Sequence, residues 1–406
     1  MSAFKRIYYK LSIKNISPLS IGSGENEDTD HDILTDRYGR PFIPATAIAG
    51  VMRSYIDDDA LFGYIKERTT QGEASKVRFY DAIPDEKQAF ESTKFIITNR
   101  DQVALEKKIG KDGAKFDMQA LEPGYKFISY IELLTDENNA ENKIEDAIAA
   151  FNTGELAFGT KTNRGYGRIK ISAQKKVISS VDEYIEFNMY ESEYDNKVIF
   201  NKVSDEYKIS LELVGGISIR EYYTDEHNDV TEMVPDYGQM TLSDDTPVIP
   251  GTSWAGMFRS RFTEFTDKNK ADDLFGFVDE KTNTSKPSKI KFSESTLTNG
   301  TWKVTTRNSI DRFSGATKDS ALYTERTYYY GKTELSIRFK TNQSEYKSII
   351  GYCLADLNDG FLALGGLTSV GRGLFRVTAI KHGNKELTDI TSQNIIDFMK
   401  GETGND

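Results

Sequence analysis

The sequence predicts an α+β protein made of two tandem ferredoxin-like domains, and three observations lead to this prediction. The segment PFIPATAIAGVMRSYI at residues 41–56 returns as PVIPGTSWAGMFRSRF at residues 247–262. Further pairs of similar segments follow in the same order at nearly constant separation, which is typical of an internal repeat. Each half then has the order strand, helix, strand, strand, helix, strand, which is the split βαβ order of a ferredoxin-like or RNA-recognition-motif-like fold.

Each half opens with a strand whose apolar and polar residues alternate. YYKLSI begins at Tyr8 and EYKISL begins at Glu206, 198 residues later, and the alternation predicts a strand with one buried face. LSIG at Leu19 and ISIR at Ile217 keep the same separation. Because the motif pair lies 206 residues apart, the loop before the motif is eight residues longer in the second half.

The next element is the helix of the repeated motif. In each copy a proline ends the preceding strand, and Thr46 or Thr252 is predicted to cap the helix N-terminus, leaving backbone N–H groups that face an anion. Apolar residues at helical spacing predict one face buried in the core (Ile48, Val51, Met52 and Tyr55; Trp254, Met257, Phe258 and Phe262).

Both motif helices contain a glycine near the middle, Gly50 and Gly256, which costs about 1 kcal/mol relative to alanine. Two explanations stay open: close packing of the helix on a sheet, or close approach of something else to the backbone. Arg53 and Arg259 follow one turn later. A single arginine is usually a surface charge, but one repeated in register is a candidate phosphate contact.

Short strands, an irregular basic segment and a second helix follow in each half. The strands recur 213 residues apart (LFGYI at Leu61 and LFGFV at Leu274; VRFYD at Val77 and IKFSE at Ile290). Residues of the basic segments recur 207 apart (Arg100 and Arg307; Lys111 and Lys318; Gly124 and Gly331). The second helices, ENKIEDAIAAF and SEYKSIIGYCLADL, carry apolar residues at helical spacing.

Each half ends in a glycine-rich hairpin, FGTKTNRGYGR at residues 158–168 and LGGLTSVGRGLFR at residues 364–376. Glycines let backbone amides turn toward a phosphate, and Arg164 or Arg372 would supply charge. Neither segment is a Walker loop, because no GK[ST] follows, and neither fits a dinucleotide fingerprint. Taken alone, each is also an ordinary hairpin.

Composition shifts along the chain predict the domain boundaries. The first domain is expected at residues 1–180 and the second at residues 203–392, joined by a linker at residues 181–202, where the repeat pattern breaks. Residues 393–406 are expected to form a C-terminal tail, whose end GETGND at residues 401–406 is expected to fray.

The overall charge limits how the chain can bind nucleic acid. The net charge of −11 argues against a simple nucleic-acid binder, so any such interaction must depend on local basic patches. The chain has one cysteine, Cys353, at helical spacing, which predicts a buried thiol. No apolar run approaches the roughly 20 residues of a membrane span, so the expected location is the cytoplasm, with no membrane partner.

The combined motifs resemble the RAMP superfamily of CRISPR RNA-binding proteins. These motifs are an early strand with L-x-I-G, then P-x-I-P-x-[TS]-x-x-x-G-x-x-R, and a final glycine-rich loop with R-G-x-G. The chain looks most like the backbone subunit of type III effector complexes, in two fused copies as in the tandem backbone protein of type III-D systems. One departure is alanine at Ala49 and Ala255, where the family often has a basic residue.

The resemblance implies a guide-RNA-binding subunit whose partners are the guide RNA, a complementary target RNA, other RAMP subunits and the large subunit. It also implies that residues 98–123 and 306–330 are thumb hairpins that insert between bases of the guide–target duplex. The expected RNA contacts lie on the motif helices, the glycine-rich loops and the hairpins (Thr46, Gly50, Arg53, Arg100, Lys111, Lys161, Arg164, Thr252, Gly256, Arg259, Arg307, Lys318, Arg326 and Arg372).

The resemblance also implies cleavage of the bound target RNA with Mg²⁺ or another divalent cation. The family pattern assigns the catalytic, metal-binding carboxylate to Asp30, with Asp36 downstream and His31 as a proton carrier. In the longer second loop, Asp236 lies eleven residues before Pro247 as Asp30 does before Pro41, and Asp225 and Asp229 are equally admissible. The alternative interpretation of the first loop is a solvated acidic segment.

Three hypotheses therefore compete. The chain is a guide-RNA-binding subunit that also cleaves target RNA, the same scaffold without catalysis, or an unrelated pair of domains that bind sugars or proteins. A salt-dependent affinity for RNA would separate the third hypothesis from the first two.

Overall fold

The computed structural model describes most of the chain as two compact units. The described residues are 4–24, 32–65, 72–85, 95–106, 109–134, 138–222, 235–279, 282, 284–340 and 344–401, and the side chains at 23–24, 101–106, 109–117, 222 and 319–320 lie outside this description. The first unit contains residues 1–162 and 166–204, and the second contains residues 163–165 and 205–406.

The first unit is built on a sheet whose two central strands are β1 and β10. Its sheet order is β12-β11-β1-β10-β6, with β7 also paired to β10, and all these pairs are antiparallel. The elements are β1 (Arg6–Asn15), β2 (Gly22–Gly24), β3 (Asp32–Ile33), α1 (Ala45–Ile56), α2 (Asp59–Phe62), β4 (Tyr64–Ile65), β5 (Gly72–Glu73), β6 (Val77–Phe79), β7 (Ile83–Pro84), β8 (Ile97–Glu106), β9 (Ile109–Leu121), β10 (Lys126–Leu133), α3 (Asn138–Asn152), β11 (Ile169–Ile178), α4 (Val181–Glu186) and β12 (Asn196–Lys197).

The second unit repeats this arrangement on a larger sheet. Its order is β14-β15-β22-β13-β23-β24, with β19 and β21 also paired to β22. The elements are β13 (Tyr207–Ile217), β14 (Arg220–Tyr222), β15 (Tyr237–Gln239), β16 (Val248–Ile249), α5 (Gly251–Phe265), α6 (Lys268–Phe275), β17 (Phe277–Asp279), β18 (Thr284–Lys286), β19 (Ile290–Phe292), β20 (Ser295–Thr296), β21 (Thr301–Ile310), β22 (Thr317–Phe339), α7 (Ser344–Asn358), β23 (Leu374–His382), β24 (Lys385–Leu387) and α8 (Ser392–Lys400).

Both units have the ferredoxin-like order predicted from the sequence. The strands β11, β1, β10 and β6 of the first unit correspond to β23, β13, β22 and β19 of the second. Each core lies between the sheet and two helices, α1 and α3 or α5 and α7, and the apolar faces predicted for the motif helices point into it. The α+β fold class with two tandem repeats is therefore confirmed.

Most of the C-terminal segment expected to be a tail forms a helix. Helix α8 spans Ser392–Lys400, and its side chains Ile395, Phe398 and Met399 are buried against α7 and the core of the second unit. Apolar residues at i, i+3 and i+4 in this helix supply a buried stripe. The prediction of a tail from residue 393 is wrong as far as residue 401.

The segment expected to be a linker packs on the first unit. We call residues 180–198 the cap. Ser180 caps helix α4, β12 pairs with β11, and between them Phe187 lies 4.6 Å from Tyr8, ring centroid to centroid. The cap therefore covers the face of the first sheet opposite the helices.

The single cysteine and the helix lengths agree with the sequence. Cys353 lies buried in α7, and burial raises the pKa of its thiol. Within the described part of the chain, no helix has both the length and the apolar character that a bilayer span needs.

Candidate nucleic-acid interface

The motif helices begin earlier than expected. Pro44 and Pro250 occupy the N-cap positions, and no side chain caps either helix. Thr46 and Thr252 therefore lie inside the first turn, so the prediction that they cap the helices is wrong. Proline fits this position because its φ is fixed and it has no N–H to leave unpaired.

The helix N-termini are not open anion sites in the described structure. The amide N–H of Ala45 donates to Asp81 Oδ1 at 2.7 Å, so a carboxylate already occupies this position in the first unit. In the second unit Gly251 is buried, and a Cβ there would lie 2.7 Å from the Phe292 carbonyl oxygen. A phosphate would have to bind elsewhere on these helices.

The mid-helix glycines face open space. Gly50 and Gly256 are exposed, and apart from the neighbouring residues and backbone of the same helix, no heavy atom of the described residues lies within 4 Å of where a Cβ would stand on either of them. Close packing on a sheet, one of the two explanations from the sequence, is thus excluded for the described residues. Packing within the protein therefore does not explain why each helix has a glycine at this position. The second explanation, that another molecule approaches the helix backbone here, is favoured.

Each exposed glycine lies in the middle of a stripe of three residues on one side of its helix. Thr46, Gly50 and Arg53 follow each other at i, i+4 and i+7, and this spacing puts them on one side of α1. Thr252, Gly256 and Arg259 repeat the pattern on α5. We call these two sets the glycine stripes.

The arginine of each stripe is tied to an aspartate on the following short helix. Arg53 Nη2 lies 2.7 Å from Asp59 Oδ1, and Arg259 pairs with Asp272, which lies 213 residues after Asp59. Arg259 also donates to the Gly276 carbonyl at 3.0 Å. Because exposed ion pairs contribute at most about 1 kcal/mol, a phosphate can compete with these aspartates for the guanidinium groups.

Hydrogen bonds fix the correspondence of the two glycine-rich loops. Phe158 N donates to Gly167 O at 3.0 Å, and Leu364 N donates to Gly373 O at 2.9 Å, 206 residues later. At this separation Arg164 corresponds to Val370, and Arg372 corresponds to Tyr166. Arg164 and Arg372, the two arginines predicted to supply charge in these loops, therefore occupy different positions in them. Arg164 is exposed, whereas Lys161 is half-buried with a positive φ of 53°.

Arg372 is buried rather than directed at solvent. Only 4% of the residue is exposed, and its Nη2 lies 3.4 Å from Glu325 Oε2 on strand β22. Its guanidinium also lies over the Tyr329 ring, 4.8 Å from the centroid. The side chain thus ties the glycine-rich loop to the hairpin strand, and this position does not offer a phosphate contact.

The two thumb hairpins differ in how they join their sheets. Strands β8 and β9 form a separate two-stranded sheet, whereas β22 continues from the hairpin into the central sheet of the second unit over 23 residues. In the first hairpin Arg100 pairs with Met118. The residue 207 positions after Met118 is Glu325, and it pairs with Thr305 in the second hairpin. By strand pairing, Thr305 is thus the counterpart of Arg100. Arg307 is therefore two positions farther along its hairpin than Arg100.

The basic residues predicted to contact RNA from the hairpins fall into two groups. Arg100 is buried over the Tyr166 ring, Arg307 Nη2 lies 3.8 Å from Glu325 Oε2, and Arg326 pairs with Asp245. Lys318 is exposed on the second hairpin. Lys111 belongs to β9, but its side chain lies outside the described part.

Asp36 has a structural role in a turn. Its Oδ1 accepts the N–H groups of Tyr38 and Arg40 at 2.8 and 3.0 Å, and its Oδ2 accepts from Arg40 Nε at 2.8 Å. Although partial burial raises the pKa of this carboxyl, the hydrogen bonds from the Arg40 and Tyr38 backbone and from the Arg40 side chain outweigh that effect and lower it. Hydrogen bonds within the turn Asp36–Arg40 therefore use both oxygens of the Asp36 carboxylate.

The other predicted catalytic residues do not assemble into a metal site in the described part of the chain. Asp236 Oδ2 accepts the Thr324 N–H at 2.6 Å, which fastens β15 to the hairpin strand. Asp30, His31 and Asp229 lie outside the described residues. Among the described residues no group of three or more His, Cys, Asp or Glu side chains could hold a metal ion. Because Asp30, the predicted metal ligand, lies outside them, the Mg²⁺ site stays a prediction.

The comparison with protein families agrees with the repeat. The family model described as the RAMP superfamily matches residues 12–170 and again residues 231–376, so it covers both motif helices and both glycine-rich loops. No curated protein matches the chain.

Proposed function

Because the chain belongs to the RAMP superfamily, which is associated with CRISPR-related RNA-binding complexes, we propose that it is a guide-RNA-binding backbone subunit of a type III effector complex. In this proposal it is a tandem backbone protein of the type III-D kind. Its partners are the guide RNA, a complementary target RNA, other RAMP subunits and the large subunit. The observation that carries the proposal is that each family match contains one glycine stripe, with an exposed glycine at its centre.

The glycine stripes suit the backbone of a single RNA strand. Without a Cβ at Gly50 or Gly256, a sugar or phosphate can approach the helix backbone directly. Thr46 offers an exposed hydroxyl beside the first glycine. Arg53 offers a guanidinium paired with exposed Asp59, and Arg259 offers one that is paired with partly exposed Asp272 and bonded to the Gly276 carbonyl. Such contacts position RNA without reading its sequence, so target choice is left to base pairing with the guide.

The sheet faces are poor candidates for the same task. RNA-recognition motifs stack bases on aromatic residues of the central strands, and in the first unit these positions hold Tyr8 and Tyr130. The cap covers both, with Phe187 against Tyr8 and Tyr190 against Tyr130 at a centroid distance of 5.2 Å. In the second unit Glu206 stands 198 residues after Tyr8, and Ser336 stands 206 residues after Tyr130. These corresponding positions therefore hold no aromatic ring on which a base could stack. The proposal therefore places RNA on the helix, loop and hairpin surfaces.

The hairpins would act as the thumbs of the backbone subunit. Phe313 at the tip of the second hairpin is 98% exposed, and the basic residues Arg312 and Lys318 are exposed near it. An exposed aromatic ring beside positive charge suits stacking on a base next to its phosphate.

The test of the proposed function is purification of the protein from its native host. Short RNA derived from CRISPR repeats is expected to copurify, together with further RAMP subunits. A protein that purifies free of nucleic acid under low salt, where phosphate contacts are strongest, would contradict the proposal.

We propose further that the first unit cleaves the bound target RNA with a divalent cation, with Asp30 as the essential carboxylate and His31 beside it. The support is the family pattern in the loop before the motif helix, and Asp229 is the proposed counterpart in the second unit. Asp36 and Asp236 are left out of this role because turn and strand contacts occupy them.

Asp30→Ala is expected to remove the cleavage product of the first unit in the assembled complex while RNA affinity stays within about twofold, because one carboxylate contributes to catalysis and not to backbone binding. The measurement is Mg²⁺-dependent cutting of a labelled target RNA, with Asp28→Ala in the same loop as the matched control. If Asp30→Ala cut the target RNA at every position as the wild type does, the proposal that Asp30 is catalytic would be contradicted.

A further inference from the structure

The second hairpin is attached to its unit on one face through Arg326. The two guanidinium nitrogens Nη1 and Nη2 donate to Asp245 Oδ1 and Oδ2, each at 2.6 Å, which is a bidentate pair. The same guanidinium stacks on Trp302, 3.9 Å from the ring centroid. Arg326 belongs to β22 and Trp302 to β21, so one arginine links both hairpin strands to Asp245.

Asp245 belongs to the turn that leads into the motif helix. Leu242 N donates to Thr246 O at 2.9 Å, and Asp245 N donates to Leu242 O at 3.0 Å. The first unit has the same turn, with Asp36 N donating to Arg40 O and Gly39 N donating to Asp36 O, each at 2.9 Å. The pair Arg326–Asp245 therefore connects the hairpin to the segment from which helix α5 starts.

Asp245 adopts a left-handed backbone conformation, which glycine adopts more easily than aspartate. Its φ is 67°, and the first unit has Gly39 with φ 74° at the corresponding position. Glycine adopts this left-handed conformation at no steric cost, whereas a residue with a Cβ does so at some cost. The second unit therefore has a carboxylate at a turn position where the first unit has glycine, and this carboxylate binds Arg326.

We propose that Asp245 is a positioning residue that fixes the second hairpin, through Arg326 and Trp302, for its contact with RNA. The RNA contact in this inference rests on the proposed function. The attachment of the hairpin to Asp245 through Arg326 does not depend on it. The first unit has no carboxylate at Gly39, and its hairpin is a separate sheet, so the two hairpins are held differently.

The substitution Asp245→Gly tests the proposal because it copies the residue of the first unit. Glycine keeps the left-handed turn and removes only the carboxylate, so the melting temperature is expected to stay the same or rise. Asp244→Asn is the matched control: it removes the same charge from the same turn, where Asp244 accepts only from Thr246 N at 3.0 Å in the described contacts.

Two measurements on the full chain give the outcome. The chain has two tryptophans, and Trp254 is fully buried, so a change in Trp302 emission reports release of Arg326. Asp245→Gly is expected to shift this emission to longer wavelength and to speed dissociation of a labelled guide-length RNA about three- to tenfold, whereas Asp244→Asn changes neither.

The other results are decisive as well. Unchanged Trp302 emission in Asp245→Gly would show that the attachment does not hold the hairpin. A shifted emission with unchanged RNA dissociation, or equal acceleration by Asp244→Asn, would overturn the positioning role alone. A wild-type chain that binds no RNA would overturn the proposed function, and the RNA role of Asp245 with it.

Discussion

Glu132→Ala is expected to lower the free energy of unfolding of the first unit by about 3 kcal/mol. The Glu132 side chain is 3% exposed and lies on β10 beneath the cap. Its Oε1 accepts from Arg6 Nη1 at 2.6 Å and from Tyr8 Oη at 2.7 Å, and its Oε2 accepts from Arg78 Nη1 at 3.1 Å. Removing the carboxylate leaves two guanidinium groups and a buried hydroxyl without this partner.

The expected loss lies at the lower end of the range for broken buried ion pairs. That range is about 3–5 kcal/mol, and Arg6 and Arg78 keep some contact with water, which limits the cost. Glu132→Gln keeps the shape and one acceptor oxygen, so it is expected to cost about 1–2 kcal/mol.

Urea unfolding followed by circular dichroism measures these effects. Glu193→Ala, an exposed glutamate within the cap, is the control and is expected to change stability by less than about 0.5 kcal/mol. A Glu132→Ala protein as stable as this control would mean that the charge cluster under the cap does not hold the first unit together.

The repeat and the cores could be predicted from the sequence because they depend on local periodicity. Ile48 and Met52, or Trp254 and Phe258, are spaced for one helical face, and the structure buries all four. The ferredoxin-like order follows in the same way from the alternation of strand and helix patterns. The residues that form each of these patterns lie within a few positions of one another, so the sequence alone reveals them.

Buried charges could not be predicted because their partners are distant in sequence. Glu132 and Tyr8 are 124 residues apart, and Arg372 and Glu325 are 47 residues apart. A charged residue without a visible partner is normally assigned to the surface, which is why Arg372 was expected at a phosphate. Likewise, Thr46 resembles a cap, but the helix amide before it is satisfied by Asp81, 36 residues from Ala45.

The cap escaped prediction because its aromatic residues are spaced as on one face of a helix, although the part of the segment that carries them is not helical. Phe187, Tyr190 and Tyr194 are spaced by three and four residues in a segment that is helical only up to Glu186. Together they cover one sheet face. A cluster of aromatic residues in an expected linker was the available signal, since such residues are rarely left fully solvated.

The glycine stripes give the most direct measurement of the central claim, which is that each unit holds an RNA backbone against its motif helix. Gly50→Glu and Gly256→Glu introduce a carboxylate where the described protein has open space, so folding is expected to tolerate both. Ser172→Glu and Thr378→Glu are matched controls, because they are exposed equivalents on β11 and β23 that point away from the helices.

The measurement is the dissociation constant for a guide-length single-stranded RNA at fixed salt, with melting temperatures recorded for every variant. Each glycine substitution is expected to weaken binding at least about tenfold, and the double variant about 100-fold, while the sheet-face controls stay within about twofold of wild type. Equal affinities for wild type and the double glycine variant would contradict the account, because RNA would then not pass over the motif helices.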